Sequence, residues 1–176
     1  MKIGLCGTMS VGKTTLVNAL KERPEFKDYM FRTERSKELM AQGIPLNTDS
    51  TLKGQTVFLS ERTSELMVEN IITDRTIIDV MAFARASKSM DWNDKEAFEE
   101  YAKRFLKEYD YIFYVSPVGV EMEDNGIRET NIDYRDLIDY TIGRILDSNK
   151  HRIKNLNTIS GSTEKRIEQM LEALSS

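Results

Sequence analysis

The stretch GTMSVGKTT, Gly7 to Thr15, has the spacing Gly-x-x-x-x-Gly-Lys-Thr and lies close to the start of the chain. This spacing is that of a phosphate-binding loop, or P-loop. Its two glycines allow backbone torsions that a side chain would penalise, so main-chain N–H groups can approach a phosphate closely. An ordinary glycine turn has no use for Lys13 and Thr14 after the second glycine. The motif therefore predicts a nucleotide-phosphate site.

The residues on both sides of this loop fit a strand before it and a helix after it. KIGLC, Lys2 to Cys6, is an apolar run of strand length, and TTLVNALKE places Leu16, Val17 and Leu20 at helical spacing. Free N–H groups and the dipole of a helix start attract anions. We expect Lys13 to reach the β- and γ-phosphates and the Thr14 hydroxyl to bind Mg²⁺. The predicted nucleotide-binding residues are Gly7, Ser10, Val11, Gly12, Lys13, Thr14 and Thr15.

The composition is that of a globular protein, with 40% hydrophobic and 31% charged residues. A length of 176 residues predicts a single domain, 1–176. The net charge of −4 does not indicate a nucleic-acid or membrane partner. One cysteine and one histidine exclude a disulfide framework and an ordinary zinc site. The N-terminal apolar run is too short for a signal peptide, and we expect a cytoplasmic protein, in the host cytoplasm if phage-encoded.

Short apolar runs alternate with helical patterns along the chain, which predicts an α/β fold whose parallel sheet is covered on both faces. After the first strand, the predicted strands are 29–33, 70–74, 109–117 and 153–160. The predicted helices after the first are Arg35–Gln42, Thr51–Val68, Ile78–Ala86, Asp94–Lys107, Asp133–Ser148 and Thr163–Leu174. In such folds a ligand binds beyond the carboxyl ends of the strands. Residues just after each strand are therefore the site candidates.

Asp74 and Arg75 follow the third predicted strand. A carboxylate at the tip of an apolar strand beside a P-loop can hold Mg²⁺ or its water shell. The planar guanidinium of Arg75 suits phosphate oxygens or an acceptor hydroxyl. The alternative is that Asp74 caps the next helix and that Arg75 is a surface residue.

Three further residues are predicted to contact an acceptor molecule. Glu34 follows the second strand and could accept a proton from an attacking hydroxyl; as an alternative it is a first-turn acid favoured by the helix dipole. Arg35 is the second candidate, with solvent exposure as its alternative. Gln55 could pair with a base edge or amide of the acceptor, or it could simply lie on the surface.

A predicted lid, residues 121–135, follows the fourth strand. It contains DNGIRETNIDYR, in which Asn125-Gly126 is a strong turn signal. Arg128 and Arg135 flank the start of the next helix, near Asn131 or Asp133. Arginines on such a loop would neutralise charge on a transferred phosphoryl group and exclude water. The alternative is a polar surface loop.

With these motifs in place, the chain resembles P-loop kinases of the nucleoside/nucleotide group. It most resembles small AAA-type ATPase/kinase proteins akin to the ribosylnicotinamide kinase domain, many of them encoded by phages. The matching pieces include GTMSVGKTTL, TERSKELMAQGIP and YDYIFYVSP. The step from Asp74 to Thr76 is similar to the Glu-Arg-Ser of deoxynucleoside kinases and the Asp-Arg of thymidylate kinases. The resemblance implies a three-layer P-loop NTPase fold, strand order 2-3-1-4-5, ATP with Mg²⁺, and a lid.

The predicted activity is transfer of the γ-phosphoryl group of ATP to a hydroxyl of a nucleoside or nucleotide acceptor. Lys13, Glu34, Asp74, Arg75, Arg128 and Arg135 are the catalytic candidates, and the roles of Glu34 and Asp74 are left interchangeable. A hydroxyl acceptor is favoured because Glu34 is placed as in the deoxynucleoside kinases that the chain resembles. No membrane partner is expected, and a homodimer is left open.

Two alternative functions stay open. One is a phage kinase of 5-hydroxymethyluracil within DNA, for which Arg32, Arg35 and Lys37 could form a basic stripe although the net charge weighs against DNA. The other is a nucleotide-binding ATPase switch. A GTPase is not indicated, because the guanine-reading tetrapeptide Asn-Lys-x-Asp does not occur.

Overall fold

The computed structural model describes residues 1–33, 35–118 and 132–175. The strands are β1 (Lys2–Cys6), β2 (Met30–Arg32), β3 (Ile71–Asp74), β4 (Tyr111–Val115) and β5 (Leu156–Ile159). The α-helices are α1 (Lys13–Lys21), α2 (Ser36–Ala41), α3 (Leu52–Glu65), α4 (Ile77–Ala86), α5 (Trp92–Ala102), α6 (Ile132–Asn149) and α7 (Thr163–Leu174). Short 3₁₀ turns cover Pro24–Phe26, Asn47–Asp49, Lys103–Glu108 and Lys150–Arg152.

The five strands form one parallel sheet in the order β2-β3-β1-β4-β5, which confirms the predicted order 2-3-1-4-5. Leu5 pairs with Asp74 and Cys6 pairs with Tyr114. The register therefore brings the carboxyl end of β3 beside the loop that leaves β1. Residues that are far apart in sequence meet at this edge of the sheet.

Helices cover both faces of the sheet, so the three-layer prediction is also confirmed. On one face α1 and α7 pack on strand residues such as Leu5, Ile72 and Phe113. On the other face α3 to α6 enclose a second cluster that includes Met81, Ile138 and the β1 residue Cys6. No helix in the described part of the chain is both long and apolar enough to cross a membrane.

Several predicted boundaries shift for identifiable reasons. The predicted helix Asp94–Lys107 begins earlier, at Trp92, because the Asp91 side chain accepts a hydrogen bond from the Asp94 N–H and caps the helix. Its last part is the 3₁₀ turn Lys103–Glu108 rather than α-helix. α3 begins after Thr51, whose side chain accepts from the Gly54 N–H. β5 is shorter than predicted because the Ile153 N–H donates back to the Lys150 carbonyl, and pairing with β4 starts only at Leu156.

The predicted lid falls mostly on residues 119–131, which lie outside the described residues. Its last residues, 132–135, form the first turn of α6. The helix therefore begins at Ile132, between the two predicted starts Asn131 and Asp133, and its first turn overlaps the end of the predicted lid. The signal for this start was ambiguous, because Asn131 and Asp133 are both good residues for a helix N-terminus.

Candidate active site

The P-loop leaves β1 with a backbone that requires glycine. Gly7 has φ 151°, and a Cβ there would lie 2.7 Å from the Val115 carbonyl oxygen, so a side chain would collide with the end of β4. Gly12 has φ 82°, in the left-handed region, and stands at the N-cap of α1. The first turn of α1 carries no acid, so its N–H groups are not masked by a negative charge. This geometry suits an anion at the helix start.

Lys13 is buried against the loop it belongs to. Its Nζ donates hydrogen bonds of 2.6 Å to the carbonyl oxygens of Gly7 and Thr8. The ammonium group is thereby held at the mouth of the loop, where the N–H groups of α1 also begin. A phosphate entering the loop would meet this cation directly, because the two carbonyls hold it only by hydrogen bonds that an anion can replace.

Thr14 and Asp74 lie side by side at the edge of the sheet. The Thr14 Oγ1 donates a 2.6 Å hydrogen bond to the Asp74 Oδ2, and Asp74 is 1% exposed. A hydroxyl and a carboxylate beside a phosphate loop form the oxygen donor set that Mg²⁺ accepts, with phosphate oxygens and water as its other ligands. The residues therefore fit the ion. Asp74 is not the cap of α4, because Thr76 has that place.

Asp79 connects the P-loop to α4 and was missed by the sequence reasoning. Its carboxylate is fully buried and accepts hydrogen bonds from the Gly7 N–H at 3.1 Å and from the Thr76 N–H at 2.7 Å. It completes a capping box with the Thr76 side chain. The sequence signal was present: Thr76-x-x-Asp79 has the spacing of such a box. Its contact with Gly7 could not be read from spacing.

Arg75 does not behave as a surface residue. Its φ of 90° is unusual for a side chain with a Cβ, and its side chain is only 14% exposed. The guanidinium lies over the Phe83 ring, with Cζ 5.0 Å from the ring centre, and its Nη1 is 3.9 Å from the Asp79 Oδ1. Within the described residues, this buried Nη1 has no hydrogen-bond acceptor. It is therefore available to an anionic or hydroxyl ligand.

A pocket opens beside the P-loop and contains two of the predicted acceptor residues. It encloses about 420 Å³, open solvent at its mouth included. Gln55 is 3% exposed, so the surface alternative is wrong for it. The lining residues are Ser36, Leu46, Asn47, Gln55, Phe58, Arg75, Asp79, Val80 and Phe83. Phe58 and Phe83, which the sequence reasoning did not single out, give this pocket two aromatic surfaces.

Other predicted residues have different surroundings. Arg35 forms ion pairs with Glu38 at 2.5 Å and Glu61 at 3.1 Å, and it is absent from the pocket lining. The acids partly neutralise its charge, so it offers less to a phosphate than the sequence suggested. Glu34 and Arg128 lie outside the described residues.

The start of α6 contacts the P-loop. The Thr8 Oγ1 donates a 2.9 Å hydrogen bond to the carbonyl oxygen of Arg135. One turn later, Asp139 accepts a 2.7 Å hydrogen bond from the Tyr114 hydroxyl, and burial raises the pKa of the Asp139 carboxyl. These contacts join the predicted lid residue Arg135 to the phosphate loop through its main chain.

Arg166 supports the P-loop from the last helix and gave no sequence signal. Its Nη1 donates a 2.6 Å hydrogen bond to the Val11 carbonyl, and its Nη2 lies 3.4 Å from the Ser116 carbonyl. The side chain is 3% exposed. It therefore ties the P-loop to the end of β4 across 155 positions of sequence.

With this geometry described, the chain can be compared with known proteins. The model of one protein family, described as an AAA domain, matches residues 2–166. The chain belongs to this family. No curated protein sequence matches it.

Solved structures with the same fold include deoxyadenosine kinase from M. mycoides with bound dATP, with a TM-score of 0.72 and 19% identity over the whole of both chains. The NadR protein in complex with NR has a TM-score of 0.72 and 18% identity, covering 98% of this chain and 50% of that one. Thymidylate kinase from Ehrlichia chaffeensis gives 0.60 and 14%, covering 99% and 97%. These similarities show that the AAA-family chain has the fold of these kinases.

Proposed function

We propose that this protein is an ATP-dependent kinase that transfers the γ-phosphoryl group to a hydroxyl of a nucleoside or nucleotide-type acceptor. One observation carries the proposal: a partly aromatic pocket adjoins the P-loop, and the two share Asp79. This carboxylate lines the pocket and accepts a hydrogen bond from the Gly7 N–H. Two ligands bound at these places would meet near Lys13 and Arg75.

The P-loop would bind the phosphates of ATP. Its main-chain N–H groups and the Lys13 ammonium would contact the β- and γ-phosphate oxygens, and the Thr14 hydroxyl with the Asp74 carboxylate would hold Mg²⁺. When bound, Mg²⁺ supplies positive charge against the phosphates. Arg166 would keep the Val11 carbonyl, and thus the loop, in place.

The pocket would bind the acceptor by its base. Phe58 and Phe83 offer apolar ring surfaces, and the buried Gln55 amide has both a donor and an acceptor for a base edge. Arg75 lines this pocket, and its Nη1, which has no hydrogen-bond acceptor among the described residues, would donate to the reacting hydroxyl or a neighbouring oxygen. The arrangement supports an acceptor that carries a planar polar ring and a hydroxyl.

Glu34 is proposed as the general base, on the sequence argument and the resemblance. It would take the proton from the acceptor hydroxyl while the oxygen attacks the γ-phosphorus and ADP departs with the bridging oxygen. Arg128 and Arg135, within a lid at about 121–135, would add positive charge to the transferred group. Related structures support a nucleoside-type ligand, since deoxyadenosine kinase from M. mycoides, which has this fold, has been solved with bound dATP and with bound dCTP.

A kinase acting on a hydroxymethylated base in DNA stays the alternative, and an ATPase switch the second. The basic stripe expected for DNA is weakened, because Arg35 is paired with two glutamates. A switch would not require a lined acceptor pocket beside the P-loop. Both observations favour a small-molecule acceptor.

The test is an acceptor screen with γ-labelled ATP. Free nucleosides, nucleotides and hydroxymethyluracil-containing DNA are offered in parallel at two salt concentrations. We expect label in a free nucleoside or nucleotide. Label that enters only the DNA, and less of it at high salt, would establish the DNA alternative instead. ATP hydrolysis without transfer to any acceptor would favour the switch.

A further inference from the structure

The end of the sheet opposite the P-loop carries a basic cleft. It lies where the chain enters β4 and β5, and it encloses about 690 Å³ including its open mouth. Its lining is Lys103, Arg104, Lys107, His151, Arg152, Ile153 and Lys154. β4 spans residues 111–115, which at about 3.3 Å per residue separates the cleft from the P-loop end of the sheet by roughly 15 Å. The cleft is thus distinct from the candidate active site.

Cations of this cleft are brought together by two separate 3₁₀ turns. Lys103–Glu108 precedes β4 and Lys150–Arg152 precedes β5, and the parallel pairing of these strands places the turns side by side. Their charges act on a common neighbour. The pKa of Glu100 is lowered first by its hydrogen bond from Lys103 and also by the charges of Arg152 and Arg104. Basic side chains from both turns therefore lie close enough to act on the same carboxylate.

Acids form ion pairs with two lysines of this cleft, but the other three cations of its lining have no such ion pair in the described part of the chain. Lys103 pairs with Glu100, and Lys154 pairs with Asp110 at 2.8 Å. Among the residues that the structure describes, Arg104, Lys107 and Arg152 are exposed, form no ion pair, and share a lining without an acid. Such a concentration is unexpected in a chain with 25 basic and 29 acidic residues.

We infer that this basic cleft binds the phosphodiester backbone of a nucleic acid. Closely spaced phosphates match several free cations in one cleft, and guanidinium groups bind phosphate oxygens in bidentate geometry. Phosphates carry the same charge at every base pair, so binding through these cations is independent of the base sequence. It holds the nucleic acid at the opposite end of the sheet from the P-loop, and it does not depend on what the kinase site phosphorylates.

The experiment measures binding of the full chain to a fluorescein-labelled DNA duplex of about 20 base pairs by anisotropy, from about 50 to 200 mM salt. Single-stranded RNA and anionic phospholipid vesicles are parallel arms. Arg104→Ser/Arg152→Ser removes two free cations. Lys27→Ser/Lys53→Ser is the control, with the same change in net charge at exposed lysines elsewhere. Lys107→Ser serves as a second, single variant.

We expect the wild type to bind with a log–log salt slope of about −3, one unit for each free cation. The double cleft variant should bind at least ~10-fold more weakly at low salt, with a slope smaller by about 2. The control should stay within about threefold, and Lys107→Ser should lose about one unit of slope. DNA and RNA binding that respond alike to the variants would establish backbone recognition.

Three results would overturn the inference: no nucleic-acid binding at low salt, equal losses in the cleft and control variants, or binding to vesicles but not to nucleic acid. Far-UV circular dichroism and ATP turnover of each variant check that the fold is intact. Failure of the kinase proposal would leave the DNA-binding results unchanged, so the two failures can be told apart.

Discussion

The phosphate-binding side of the candidate active site comes from one continuous run, Gly7–Thr15, whereas the acceptor pocket takes its lining from separate segments between Ser36 and Phe83. The P-loop offers main-chain groups as its binding surface, and its own Lys13 donates to two of its carbonyls, although Asp79 and Arg166 also support it from other helices. The pocket depends on side chains that meet only after α2, α3 and α4 have packed. The first side is encoded locally and the second by tertiary structure.

This difference suggests that substitutions on the two sides of the site affect different steps of the reaction. Changes in the P-loop should affect every phosphoryl transfer, whichever acceptor is used. Changes in the pocket should affect the affinity for one class of acceptor and leave ATP binding intact. A pocket substitution that alters ATP binding would show that the two sides are coupled, whereas separate responses would show that they act independently.

The largest effect is expected for Lys13→Ala. Losing one cation aimed at the transition state typically lowers kcat at least ~10²-fold. Transfer to the best acceptor is measured together with thermal unfolding, which should change little because Lys13 contacts the loop rather than the core. Activity within a factor of two of the wild type would refute the P-loop assignment.

Gln55→Leu should act on the acceptor side alone. The buried amide would be lost and the polar edge of the bound base left without a partner, which costs about 1–3 kcal/mol, or roughly 5- to 150-fold in kcat/KM for the acceptor. The KM for ATP should stay unchanged. Gln42→Leu, on an exposed glutamine, is the matched control. A rise in the KM for ATP of similar size would contradict the claim that the pocket and the P-loop act independently.

The buried acid Glu65, at the end of α3, predicts a pH effect on stability. Burial raises its pKa to about 6 from 4.5, against the opposing charge of Arg62. A raised folded pKa favours the neutral acid in the fold, so its ionisation destabilises the protein above pH 6 and not below 4.5. Relative to Glu65→Gln, the wild type should gain about 1–2 kcal/mol of unfolding free energy as pH falls across this window. Denaturant titrations below pH 4.5 and above pH 6 measure the free energy of unfolding of both proteins. A difference between the two proteins that does not change with pH would contradict the raised pKa of Glu65.

The smallest effect is expected for Thr8→Val. The substitution keeps the shape of the side chain but removes the hydrogen bond to the Arg135 carbonyl, worth about 1 kcal/mol, so kcat should fall only about two- to fivefold. Thr158→Val, at an exposed β5 position, is the control. If both variants match the wild type in single-turnover transfer, the P-loop and α6 are not coupled through this bond.

Sequence reasoning reached the P-loop from a local pattern, and it reached the sheet order through the resemblance to P-loop kinases. Alternating strands and helices, with the resemblance, gave the order 2-3-1-4-5, and the glycine spacing located the loop. The proximity of Asp74 to Thr14 was expected because both follow parallel strands that end at one edge. The alternation of strands and helices and the meeting of the strand ends need only the period of the chain and the rules of parallel sheets, whereas the strand order required the resemblance.

The remaining contacts could not be predicted, since they join elements through side chains. Arg166 reaches Val11 from the last helix, and nothing in its helical pattern distinguishes it from other basic residues. Arg35 looked like a free cation because Glu61, a partner from another helix, is remote in sequence. Phe58 and Phe83 fit helix patterns equally well as core residues. Only packing shows which of them line a pocket.

The most direct test of the central claim is the fate of the γ-phosphate in one reaction. Labelled ATP and the best nucleoside or nucleotide acceptor are mixed with the wild-type protein, and label is counted in the acceptor and in inorganic phosphate. For a kinase of this kind we expect nearly all consumed ATP to appear as phosphorylated acceptor, with transfer abolished by Lys13→Ala and lowered by Gln55→Leu only at limiting acceptor. ATP consumption that is independent of the acceptor, with label released only as inorganic phosphate, would contradict the account.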